Sequence, residues 1–185
     1  MATGAFESIL GTVTGISEVR DKQPEAWFAF ILAILIAFLL WSLYFDMMSE
    51  QETKTGYGYM QWLIFLHFPL LVSFSIAGAC IKVLLSDMEA GFPQAVSWMF
   101  CAALATILIM IVGLTRIMKE EEEDRSYIRP VSKLLVIIAI CLLLVPLLAG
   151  FMNTLGFFAL VSFILLVPVL IGIRSWVRYK FYSEK

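Results

Sequence analysis

The chain has 185 residues, 61% of them hydrophobic and 15% charged, with a mean hydropathy of +0.91. That balance is too apolar for a soluble domain of this size and marks a polytopic membrane protein. The net charge of −2 says nothing of nucleic acid, and with the basic residues in loops rather than on one face no nucleic-acid partner is expected.

Residues 1–20, MATGAFESILGTVTGISEVR, are moderately apolar, with Phe6, Ile9, Leu10, Val13 and Ile16 at roughly helical spacing. They are short, and rich in Gly and Thr, for a span. Three readings stay open: an interfacial amphipathic helix, a half-helix inserted against other helices, or the remnant of a longer span. The absence of Lys and Arg from a polar face weighs against a conventional surface anchor. No basic region followed by an apolar core marks a cleavable signal peptide.

Five apolar stretches follow, running about Trp27 to Phe45, Trp62 to Leu85, Phe92 to Met118, Leu134 to Phe151 and Leu155 to Val177. Each is near the ~20 residues that a helix needs to cross ~30 Å of hydrocarbon. The runs lack the alternation of a membrane barrel, so the predicted fold is all-α, a bundle of about five spanning helices with an N-terminal partial or interfacial helix. The domain reading is 1–26 for that helix and outer loop, 27–178 for the bundle and 179–185 for a tail. Pro24 and Pro93 suit helix starts. Pro69, Pro146 and Pro168 fall inside spans and predict local kinks. Cys80, Cys101 and Cys141 sit in apolar runs without metal or disulfide spacing and read as small packing residues.

Orientation follows the basic residues. Lys54, the 116–133 loop and the tail from Arg174 hold ten Lys and Arg on one side, against Arg20, Lys22 and Lys82 on the other. The ten predict the cytoplasmic side, with the C-terminus inside. The run KEEEEDRSYIR, 119–129, reads as a solvated loop, with pairs such as Glu121 to Arg125 extending the third helix outward.

Ionisable residues at membrane depth are functional candidates, because their burial is costly unless they are paired. Here they are Glu7, Asp46 at the end of the first span, His67 early in the second, and Lys82, which snorkels outward. An antiparallel first pair of helices brings Asp46 and His67 to the same rim, with Tyr44, Tyr57 and Tyr59 at similar depth to complete a network. The alternative is an interfacial histidine bonded to a backbone carbonyl or a lipid headgroup. Ser73, Ser75, Gly78 and Ala79 form a small-residue face on the second helix. A single histidine holds neither haem nor zinc convincingly, so no metal and no cofactor are expected. No phosphate loop, nucleophile elbow or HExxH motif points to an enzyme.

Three segments carry a resemblance. FESILGTVTGISE (6–18), LLWSLYFD (39–46) and YMQWLIFLHFPLLVSFSIAGACIKVLL (59–85) resemble, in order and spacing, the first helices of the bacterial low temperature requirement protein A (LtrA) family. The most specific part is WSLYFD…HFPLL, and the later helices resemble the family in hydropathy alone. The resemblance implies a multi-helix membrane protein of poorly defined activity. The polar residues that it carries over are Glu7, Asp46 and His67, with Tyr44 and Pro69 beside them. Phe6 stands where the family has Gly, and Ser42 where it has a second Trp. Family members are typically about twice as long, which implies either a half-length chain that assembles with a second copy or partner half, or a fragment.

The expected function is transport or ion permeation through an intramembrane polar site of Glu7, Asp46, His67 and Tyr44, in a protein whose solvent and partner is the lipid bilayer. The rival expectation is a non-transporting scaffold in which these residues bond helix to helix. An enzyme acting on lipid is a weaker third.

Overall fold

The computed structural model describes residues 24–48, 53–86, 93–119 and 122–183, leaving out the side chains of 24, 26, 122–129 and 175–183. Glu7 and the rest of the 1–20 segment lie outside the described residues. Among the described residues there are five α-helices: α1 (Pro24–Met48), α2 (Tyr57–Ser86), α3 (Gln94–Thr115), α4 (Glu122–Leu144) and α5 (Thr154–Ser183). All five are long and apolar enough to cross a membrane, over Trp27–Met48, Tyr57–Ser86, Gln94–Thr115, Pro130–Leu147 and Thr154–Arg174. A helix of ~22 residues rises about 33 Å, close to the thickness of the hydrocarbon core. The five spans expected from hydropathy are therefore the five helices of an integral membrane protein.

Because every helix is apolar all round, packing rather than amphipathicity decides which face goes inside. α3 is the hub. Its span is 56% buried, against 33–39% for the other four, and it packs along α2 and α4 and more lightly on α1. α1 lies along α5, whereas α1 and α2 touch lightly. The buried stripe of α1 is Ala29, Ala33, Ile36, Leu40, Leu43 and Met47, alternating by four and three as in coiled-coil seams. Near the start of α3 and α5, the fully buried rings of Phe100, Phe157 and Phe158 lie with centroids 6.0–6.1 Å apart, a spacing at which aromatic pairs attract beyond their area. Outside, Phe28, Phe38, Trp41, Trp62, Phe65 and Phe68 are exposed. Water would not tolerate such a surface, and lipid chains solvate it.

The ends of the elements follow local chemistry. α1 begins at Pro24, where the missing N–H costs nothing. Pro93 precedes α3, and its carbonyl accepts from the N–H of Val96 (3.0 Å) and Ser97 (3.2 Å). α2 and α5 continue as helix through Pro69 and Pro168. At Pro146 the α-helix instead gives way to two 3-10 turns, Val145–Leu147 and Ala149–Phe151, so α4 ends at Leu144, seven residues before the predicted Phe151. The acidic run does not extend the third helix. α3 stops at Thr115 and residues from Glu122 open α4, because a turn at 116–117 separates them. The small-residue face on α2 is also redrawn. Ser73, Ala77 and Cys80 are buried on one stripe, while Ser75 and Ala79 are exposed on another.

The α1–α2 connection is tied to the end of α3. Thr53 forms an isolated antiparallel bridge with Met118. The Lys54 N–H donates to the Ile117 carbonyl (3.1 Å) and Lys54 Nζ to the Arg116 carbonyl (2.8 Å). The chain then turns into α2 at Gly56, whose φ of +143° is open to glycine and strained for other residues.

Candidate functional site

Tyr44 stands one turn before the end of α1, and His67 stands ten residues into α2. Antiparallel α1 and α2 bring them together across their light contact, with Tyr44 Oη 3.1 Å from His67 Nε2. The two rings meet edge to face at 6.4 Å and 86°. On its other side, His67 Nδ1 lies 2.8 Å from the carbonyl of Leu63, one turn back on α2.

This pair of contacts assigns the protons. A carbonyl only accepts, so Nδ1 carries the hydrogen and donates to Leu63. In the neutral ring Nε2 is then a lone pair, and the Tyr44 hydroxyl donates to it. If Nε2 gains a proton, the direction reverses and Nε2–H donates to Tyr44 Oη. The ring can thus exchange a proton on the Tyr44 side without losing its anchor at Leu63. Two residues beyond, Pro69 lacks the N–H that would engage the Phe65 carbonyl, leaving a further acceptor on the same stretch of helix.

Asp46 is placed elsewhere. Two residues along a helix is about 200° of rotation, so a helix that turns Tyr44 toward α2 turns position 46 away from it. Asp46 lines a crevice of about 30 Å³ with Ser42, Leu43, Val169 and Ile173, between α1 and α5, room for about one water. Both ring nitrogens of His67 are taken by Tyr44 and Leu63, so the expected carboxylate–imidazole pair is replaced by a phenol–imidazole pair. The other tyrosines do not join the network: Tyr57 is 81% exposed, and Tyr59 has its ring 5.9 Å from Lys54 Nζ, within cation–π range. Lys82 is exposed near the far end of α2. Cys80 and Cys101 are buried and Cys141 is exposed.

Sequence reasoning missed two features. Ser42 was noted as a departure from a motif, yet it lies one turn from Asp46 on the crevice face; an i, i+4 Ser–Asp pair in an apolar helix was the available signal. Lys54 was counted for its charge alone. A lysine in a short loop can cap the last carbonyls of a neighbouring helix, but nothing in the sequence says which helix. Among the described residues, no group of three or more His, Cys, Asp and Glu is placed to hold a metal ion.

Searches of curated proteins and of solved structures returned no match. A family model, by contrast, matches residues 7–170, the bacterial low temperature requirement A protein (LtrA). The match takes in Tyr44, Asp46 and His67 and continues through α3, α4 and most of α5, well beyond the segments whose motifs carry the resemblance. With that much of its length matched, the chain belongs to the LtrA family.

Proposed function

We propose that this LtrA-family protein mediates transport or ion permeation across a bacterial inner membrane, with Tyr44 and His67 as its proton-handling pair. The observation that supports this most is the oriented bond from Tyr44 Oη to His67 Nε2 within two membrane-spanning helices that otherwise touch lightly. A titratable ring at that depth is costly to keep unless it works or is paired. This one is held so that a single nitrogen faces its partner and a single nitrogen is anchored. Asp46 in the α1–α5 crevice, and Glu7 from the N-terminal segment, extend the polar route. The positive-inside rule, with ten basic residues on that side, supports a cytoplasmic Lys54 rim and C-terminus. The chain acts without enzyme chemistry or cofactor, and a second copy or a partner half joins it in the bilayer.

The satisfaction of both His67 nitrogens favours a second reading, in which the bond only ties α1 to α2 in a non-transporting scaffold. Proteoliposomes separate the two. With a trapped pH dye and a panel of monovalent cations, transport predicts a flux above protein-free vesicles that His67→Ala and Tyr44→Phe lower without loss of folded protein. Flux indistinguishable from empty vesicles, with both variants merely less stable, would support the scaffold and sink the transport reading.

A further inference from the structure

The tie between the α1–α2 connection and α3 has a definite place relative to the Tyr44–His67 pair. Leu66 lies over Gly113, where a Cβ would come within 3.5 Å of Leu66 Cδ1, so His67 stands level with that turn of α3. Arg116, Ile117 and Met118 follow within three to five residues, about 5–8 Å along the helix axis. From Tyr44, the end of α1 at Met48 is a similar distance. Residues 53–56 therefore lie at the rim nearer the pair, against the residues that follow α3 and leading into α2.

Among the described residues, Lys54 makes two of the fastening's contacts, one from its backbone and one from its side chain. A helix end leaves its last carbonyls without intrahelical donors. At the end of α3 the Leu114 carbonyl is met by the N–H groups of Arg116 and Ile117, and Lys54 meets the next two carbonyls, that of the capping Arg116 through its ammonium and that of Ile117 through its backbone N–H. The ammonium also sits at the negative end of the helix dipole and against the Tyr59 ring. The Thr53–Met118 bridge lies beside these bonds. The Lys54–Arg116 contact is solvent-facing, the kind of local structure that opens without global unfolding.

We propose that residues 53–56 are a releasable strap, latched by Lys54 on the end of α3, and that its release admits water to the Tyr44–His67 pair. The strap takes from the proposed function only that this pair is the working site. Its test needs no transported ion, so either idea can fail without the other.

The test uses the full chain in nanodiscs, where both rims face buffer, with the three native cysteines replaced by alanine and Leu63→Cys as reporter one turn from His67. The readout is the labelling rate of that thiol by a water-soluble maleimide. Lys54→Met should speed labelling about tenfold, the factor expected for losing one well-made hydrogen bond, while Lys54→Arg, which keeps the cation, leaves the rate near that of the parent. Residues opposite each other in an antiparallel bridge have Cα atoms about 4.5–5.5 Å apart, within reach of a disulfide. Oxidised Thr53→Cys/Met118→Cys added to Lys54→Met should therefore return labelling to the parent rate. If Lys54→Met does not fold, Lys54→Gln supplies the same comparison. Equal rates with and without Lys54, or failure of the 53–118 crosslink to form, would overturn the strap.

Discussion

The Tyr44–His67 bond should be measurable as a coupling energy. Tyr44→Phe removes one hydroxyl and keeps the ring that packs edge-on against Phe45 at 5.4 Å. It leaves Nε2, partly buried, without its donor. His67→Leu removes the ring and both of its bonds. The Leu63 carbonyl loses little in that variant, because the backbone N–H one turn ahead still donates to it. Hydrogen bonds between membrane helices measured by double-mutant cycles average about 0.6 kcal/mol, with an upper end near 1.7. A 3.1 Å contact with one well-placed lone pair belongs in that range. Each single substitution should therefore cost about 1 kcal/mol, and the double variant little more than either one, for a coupling of about 0.6–1 kcal/mol. Unfolding in mixed micelles titrated with SDS gives all four stabilities. Additive costs, with coupling below about 0.2 kcal/mol, would show that the bond does not form in the folded protein.

Other predictions follow from the same packing. Ser162 of α5 is 4% exposed and its hydroxyl oxygen has no hydrogen-bond partner among the described residues. Ser162→Ala should leave stability unchanged or raise it by up to about 1 kcal/mol in the same titration; a clear loss would reveal a partner for the hydroxyl. Phe100→Ala opens the Phe100–Phe157–Phe158 cluster and should cost about 3–5 kcal/mol, whereas Phe68→Ala, at a side chain 72% exposed, should cost far less. Equal losses would contradict the assignment of α3 as the hub and of the outer face of α2 to lipid.

The helices were legible because a continuous apolar run near 20 residues has few other uses. Their mutual arrangement was not. A helix such as α3, apolar on every side, carries no moment to say which face meets a neighbour, and its place at the centre emerges from packing alone. Tyr44 and Asp46 show the same limit on a smaller scale. Hydropathy puts both at one rim, and helical rotation then says that they face different ways, yet nothing local chooses which one meets His67. The choice lies in how α1 settles on α5, through the Ala29–Met47 stripe. Lys54 and Arg116 are 62 residues apart, a pairing that no local pattern records. The family signal behaved differently. Motifs at 6–18 and in the first two helices carry the resemblance, while the family model extends it to residue 170, through helices whose side chains look like generic membrane sequence.

The chain contains one histidine, so imidazole 15N NMR of the protein labelled at histidine reads the pair directly. When the ring is neutral, Nδ1 should carry the proton and Nε2 should show an acceptor shift that moves on Tyr44→Phe. Acidification should then add a second proton at Nε2 reversibly, while the protein stays folded. A neutral ring protonated at Nε2, or one that takes up no second proton before the fold is lost, would contradict the assignment of Tyr44 and His67 as a proton-handling pair.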